Sequence, residues 1–110
     1  ATVTPKMVRN RFKTLLNTIR AALGKVPVAF VSIKPSPSRW KQEKKFLKAN
    51  QLIKRYLKRD RSAVYINVHD AMLLEDGSVN PALFIKDNLH MNANGYKIWQ
   101  KIIEPVLVKE

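Results

Sequence analysis

Cysteine is absent from these 110 residues, which excludes disulfides and thiolate chemistry. Acidic residues are scarce. There are 8 Asp and Glu against 21 Lys and Arg, for a net charge of +13. Such a surface attracts polyanions and makes association salt-dependent. The same charges could equally solvate helix faces or be balanced by an acidic segment elsewhere. No apolar run approaches the ~20 residues needed to span a bilayer. There is no internal repeat, no low-complexity linker, and no signal-peptide pattern at the visible start. What is there is a hydrophobic fraction of 45%, which is that of a folded chain rather than a disordered one. The length fits one small domain or part of a larger one.

Thr4-Pro5 is a good helix start, because Thr can cap the first amides and Pro suits the first helical position. Val8, Phe12, Leu15, Ile19 and Leu23 recur at spacings of three and four, and Gly24 stops the pattern, so a helix is predicted over Pro5 to Leu23. The run from Val26 to Ile33 is short, apolar and β-branched, as expected of a strand buried on both faces. Pro35 and Pro37 break it. A second helix is expected from Arg39 to Arg59, with Phe46, Ala49 or Asn50, Ile53 and Leu57 facing in. A second strand is expected over Ala63 to Val68.

Irregular structure follows from Asp70 to Asp87, with a turn at Glu75-Asp76-Gly77-Ser78 and a possible helical turn at His69–Leu73. The last helix should start near Asn92 and carry Tyr96, Trp99, Ile103 and Val106 inward, with Pro105 kinking or ending it. Apolar strands alternating with amphipathic helices imply a parallel sheet. Two strands make a poor sheet with exposed edges, so further strands are expected from outside this chain.

Asp87 and His90 lie three residues apart in Asp87-Asn88-Leu89-His90, just before the last helix. A carboxylate beside an imidazole can hold one ring tautomer and stabilise the imidazolium formed when the ring takes a proton. The alternative is a local role, with Asp87 capping the loop. His69 adjoins Asp70, but neighbours on a strand point to opposite faces, which argues against a working pair. Metal binding is not indicated, since the His and Asp spacing is irregular and no His-Glu-x-x-His helix is present. The block from Arg39 to Arg61 holds ten Lys and Arg, but its interleaved aromatics are only Trp40, Phe46 and Tyr56. That composition favours a solvated helix face over a nucleic-acid groove.

The run Phe84-Ile85-Lys86-Asp87-Asn88-Leu89-His90-Met91-Asn92-Ala93-Asn94-Gly95-Tyr96 closely resembles the Asp-x-x-His block near the C-terminus of SGNH (GDSL-type) esterases and lipases. Trp99, Met72-Leu73 before the Asp76-Gly77 turn, and Ser32 to Trp40 after the first strand extend the resemblance over nearly the whole chain. It implies a three-layer α/β/α flavodoxin-like fold, of which residues 1–110 supply the C-terminal helix–strand–helix–strand–helix part of a single domain. It implies hydrolysis of carboxylic esters through an acyl-serine intermediate, with Asp87 orienting, His90 as general base then acid, and no cofactor or metal.

The family's Gly-Asp-Ser nucleophile turn and Gly-x-Asn-Asp block are not present. The nucleophile and oxyanion donors are therefore expected outside this chain, in an N-terminal half supplied by the same or another chain. Ser36 and Ser38 sit in a loop after a strand, where α/β sites gather. No strained elbow surrounds them, so they read as loop-shaping residues. An apolar pocket entrance is expected from Trp40, Phe84 and Leu89. Arg39-Trp40 reads equally well as an aromatic closing the start of the second helix. The alternative to the hydrolase is a basic module that binds nucleic acid or another polyanion.

Overall fold

The structure is a computed structural model and describes residues 3–107. Its elements run α1 (Pro5–Leu23), β1 (Val28–Val31), α2 (Glu43–Leu57), β2 (Ala63–Ile66) and α3 (Ala93–Leu107), with 3-10 helices at Pro37–Gln42, Asp70–Met72 and Pro81–Leu83. The expected helix–strand–helix–strand–helix order is observed. The Val28 amide donates to the Ser62 carbonyl and the Ser32 amide to the Ile66 carbonyl, each at 2.9 Å, so both strands advance together and the pair is parallel. Both strands are shorter than their apolar runs. Ala29 and Val64 are exposed, so the expected burial on both faces does not hold for these positions.

The chain divides into two compact units. The first takes the chain up to Phe30 together with Lys44–Tyr65. The Thr4 hydroxyl accepts the Met7 amide at 3.1 Å at the start of α1, a cap contributing about 1 kcal/mol. Gly24 ends the helix at φ 70, a backbone glycine adopts without strain. Leu16, Ile53 and Leu57 form the core, with Val8, Phe12, Val28, Phe30 and Tyr65 packed against it. Ile53 is wholly buried, and such burial stabilises by about 1.5–3 kcal/mol. The inward stripe of α1 is therefore Val8, Phe12 and Leu16. Leu15 and Leu23 are 57% and 65% exposed, one helical step off the expected face.

The second unit comprises Val31–Glu43 and the chain from Ile66 onward. Met72, Val79, Leu83, Phe84 and Met91 are buried together, with Leu73, Ile98 and Trp99 against them. The Trp99 indole donates to Met72 Sδ at 3.3 Å. The turn at 75–78 closes as expected, with the Leu74 amide on the Ser78 carbonyl and Leu73 bridging Val79. Asn92 caps α3, its Oδ1 accepting the Gly95 amide at 3.1 Å.

Gly95, not Tyr96, is the buried residue of that first turn, and Tyr96 is 57% exposed. A Cβ at Gly95 would lie 2.8 Å from the Leu83 carbonyl oxygen and 2.9 Å from Met91 Cβ, so only glycine permits this approach. α3 runs past Pro105 to Leu107 instead of ending there. Pro105 lies in its last described turn, where losing one N–H donor disrupts little of the ladder.

Candidate active site

The Asp87–His90 turn is built by a short antiparallel closure. Phe84 bridges Met91, the Ile85 amide donates to the His90 carbonyl at 3.0 Å, and the Asn88 amide donates to the Ile85 carbonyl at 2.9 Å. Asn88 sits at φ 55, the left-handed region that Asn tolerates better than most residues. The chain thus reverses tightly enough to bring the side chains of Asp87 and His90 together.

The two oxygens of Asp87 divide the work. Oδ1 accepts the amides of Leu89 and His90 at 2.9 and 3.0 Å, which holds the turn. Oδ2 meets His90 Nδ1 at 2.5 Å. The capping role and the imidazole-orienting role, alternatives from sequence, are both performed by this one carboxylate. The His90 ring, then the His90 and Leu89 amides, hold the Asp87 carboxyl well below the ordinary carboxylate range, at about 2. Asp87 is therefore ionised at neutral pH and accepts only, so Nδ1 carries the proton it donates. Nε2 has no hydrogen-bond partner among the described residues. The side chain of His90 is 69% exposed and that of Asp87 43%.

Lys34, on the segment after β1, reaches this turn. Its Nζ donates to the Leu89 carbonyl at 2.7 Å and lies 5.7 Å from the centre of the Phe84 ring. Burial pushes the Lys34 ammonium down, the Arg39 charge adds to this, and the Asp87 charge opposes it. Nothing in the local sequence marks Lys34, since it lies 55 residues from Leu89. Of the three residues expected at a pocket entrance, Trp40 is 38% exposed, Phe84 is buried in the cluster with Met91, and Leu89 is half-buried.

The serines lie elsewhere. Ser32 is buried, its hydroxyl accepting the amides of Val68 and His69. Ser36 is buried, Ser38 is exposed, and Ser78 donates to Asp76. Among the described residues no serine hydroxyl hydrogen-bonds His90.

His69 corrects one sequence inference. Its Nδ1 contacts Asp70 Oδ1 at 2.9 Å, because β2 ends at Ile66 and Asp70 opens a 3-10 turn, so strand alternation does not apply. Its Nε2 contacts Glu43 Oε2 at 2.5 Å, and the His69 side chain is only 3% exposed. Both ring nitrogens are engaged. The sequence signal available for this pair was Glu43, a lone acid at the start of a strongly basic helix.

No family model matches the sequence, and no curated protein does. Solved structures do. One from Streptococcus pneumonia, named as a platelet activating factor, superposes with a TM-score of 0.82 at 18% identity, over 96% of this chain and 52% of its own. An acylhydrolase of Bacteroides fragilis superposes at 0.80 with 17% identity, over 97% and 53%. A GDSL-like lipase of Bacteroides thetaiotaomicron superposes at 0.73 with 21% identity, over 97% and 54%. The chain thus spans about half the length of each. Likeness at these identities establishes fold, and the expected α/β fold of SGNH/GDSL-like hydrolases is borne out.

Proposed function

We propose that this chain is the C-terminal half of an SGNH-type serine ester hydrolase, with Asp87 and His90 as two members of its catalytic triad. The observation that carries this reading is the Asp87–His90 contact, with Nε2 unengaged among the described residues on a largely exposed side chain. In the proposed reaction a serine from outside residues 1–110 attacks the ester carbonyl, and His90 Nε2 takes the serine proton. His90 then gives that proton to the departing alcohol. Water, deprotonated by the same nitrogen, attacks the acyl carbon, the bond to the serine oxygen breaks, and His90 returns the proton to that oxygen. Asp87 stays ionised throughout. It keeps the proton on Nδ1 and stabilises the imidazolium formed in each half-reaction. No step in this sequence calls for a metal or cofactor.

The test is acyl trapping. The complete protein containing this chain, mixed with p-nitrophenyl acetate, should release a burst of nitrophenol and gain one acetyl on a serine outside residues 1–110. Residues 1–110 alone should be inactive, since removing a triad nucleophile lowers turnover by ~10⁶ in a protease example. Acetylation of Ser32, Ser36 or Ser38 with turnover by residues 1–110 alone would contradict the proposal.

Polyanion binding is a second reading with an observation of its own. A hollow of about 500 Å³ in the first unit is lined by Arg20, Lys25, Arg59 and Arg61 with one carboxylate, Asp60. Arg20 Nε is paired with Asp60 at 2.8 Å, while Lys25, Arg59 and Arg61 have no ion-pair partner among the described residues. Binding to duplex DNA would then weaken with salt at a log–log slope of about −0.9 per phosphate neutralised. Changing Lys25 and Arg61 to Glu should flatten that slope. This reading ranks second because it leaves the Phe84-to-Trp99 pattern without a role.

A further inference from the structure

The two peptide units immediately before His90 are each held at both ends. In the peptide joining Asn88 to Leu89, the carbonyl accepts the Ser38 amide at 3.0 Å and the amide donates to Asp87 Oδ1 at 2.9 Å. In the peptide joining Leu89 to His90, the carbonyl accepts Lys34 Nζ at 2.7 Å and the amide donates to Asp87 Oδ1 at 3.0 Å. Neither unit can rotate without breaking two hydrogen bonds. Three of the four bonds come from backbone amides, or from a carboxylate within the turn. The fourth comes from a long side chain on the segment after β1.

That side chain is itself constrained. Lys34 precedes Pro35, which restricts its backbone to extended conformations, and Pro35 is fully buried. The ammonium lies against the Phe84 ring and has no carboxylate within ion-pair distance among the described residues. A partly buried charge without a carboxylate in direct contact needs strong hydrogen-bond acceptors, and the Leu89 carbonyl provides one. His90, by contrast, is largely exposed and has only Asp87 on its ring. Little packing fixes the imidazole, so the position of Nε2 follows the backbone beneath it.

We propose that Lys34 is a positioning residue for His90: through the Leu89 carbonyl it fixes the peptide from which the imidazole projects. This rests on the hydrolase reading, in which Nε2 must meet a serine hydroxyl within hydrogen-bond reach. Misplacement of a reacting group by about 1 Å can cost ~10²-fold in rate. Lys34→Met keeps the length of the side chain and removes its donor. Lys34→Arg keeps a charged donor.

The experiment measures ester hydrolysis by the complete protein in both Lys34 variants and in His90→Ala, and the ¹H NMR signal of His90 Nδ1–H in both Lys34 variants. Lys34→Met should lower kcat about 10- to 100-fold with KM little changed, and should broaden the Nδ1–H signal. Lys34→Arg should recover most of both. Wild-type kcat and an unaltered signal in Lys34→Met, with His90→Ala inactive, would overturn the positioning role and leave the hydrolase reading standing. Full activity in His90→Ala would sink the hydrolase reading, and an unaltered His90 signal in Lys34→Met would then sink the positioning role separately. A parallel rise in KM and loss of thermal stability without rescue by Lys34→Arg would mark a structural role and overturn the proposal. Should Lys34→Met not fold, the unsubstituted protein decides. Scalar coupling from the Lys34 ammonium to the Leu89 carbonyl carbon supports the clamp, and its absence overturns it.

Discussion

His90 and His69 both sit 2.5 Å from a carboxylate oxygen, yet the two contacts are opposites in every other respect. The His90 side chain is 69% exposed and that of His69 is 3% exposed. His90 has one nitrogen bound and one unengaged, whereas His69 has a carboxylate at each nitrogen. A general base needs a lone pair that a substrate can reach, so only His90 has the form of one. His69 ties the start of α2, through Glu43, to the turn that follows β2. The pairing of His with an acid is therefore not informative on its own. What separates a site from a strut is the condition of the second nitrogen.

Breaking each contact should have a different consequence. On the proposed hydrolase reading, Asp87→Asn should lower kcat of the complete protein by about 10⁴-fold, because the wrong imidazole tautomer is then favoured. Its melting temperature should stay close to wild type, and steady-state kinetics beside a thermal scan checks both. His69→Ala should do the reverse. Leaving a buried polar atom without its hydrogen-bond partner costs about 1–3 kcal/mol for each atom, and here Glu43 would be left buried with both carboxyl oxygens lacking a partner. Urea denaturation measures this loss, which should appear in stability without a matching loss of kcat in whatever folded enzyme remains.

Gly95→Ala should be milder. The added methyl meets the Leu83 carbonyl and Met91, the residue after His90, so the start of α3 must shift. Overpacking of this kind costs about 1–3 kcal/mol, again readable in urea. The smallest effect is in titration. The depressed carboxyl of Asp87 contributes stability that is fully present above the ordinary carboxylate value of ~3.9 and is lost as pH falls through about 2. Carbon NMR of Asp87 should show its inflection near 2, and His90→Ala should raise it by removing the largest cause.

Much of this was legible in the sequence where the signals are local. Thr4-Pro5 and Gly24 gave the bounds of α1, and Asn92 gave the start of α3. Asp87 and His90 were legible because an i, i+3 pair within one turn needs no knowledge of the rest of the fold. Failures came where geometry depends on neighbours. Leu15 and Leu16 are adjacent, and only the packing decides that Leu16 turns inward. Tyr96 looked like a core residue by size, yet the close approach at that turn demands Gly95 beside it. Strand alternation is the wrong rule for His69 and Asp70, because β2 ends at Ile66 and Asp70 opens a 3-10 turn. Lys34 was invisible because its partner is distant in sequence and is a carbonyl, which every residue has.

The hydrolase reading requires His90 to act as a base and not merely as part of a well-formed turn. The most direct measurement is kcat/KM for ester hydrolysis by the complete protein carrying His90→Ala, with its circular dichroism and melting temperature recorded beside it. An unchanged spectrum and melting temperature, with activity reduced by about 10⁶-fold, is the predicted result. Wild-type kcat/KM in a folded His90→Ala protein would contradict it.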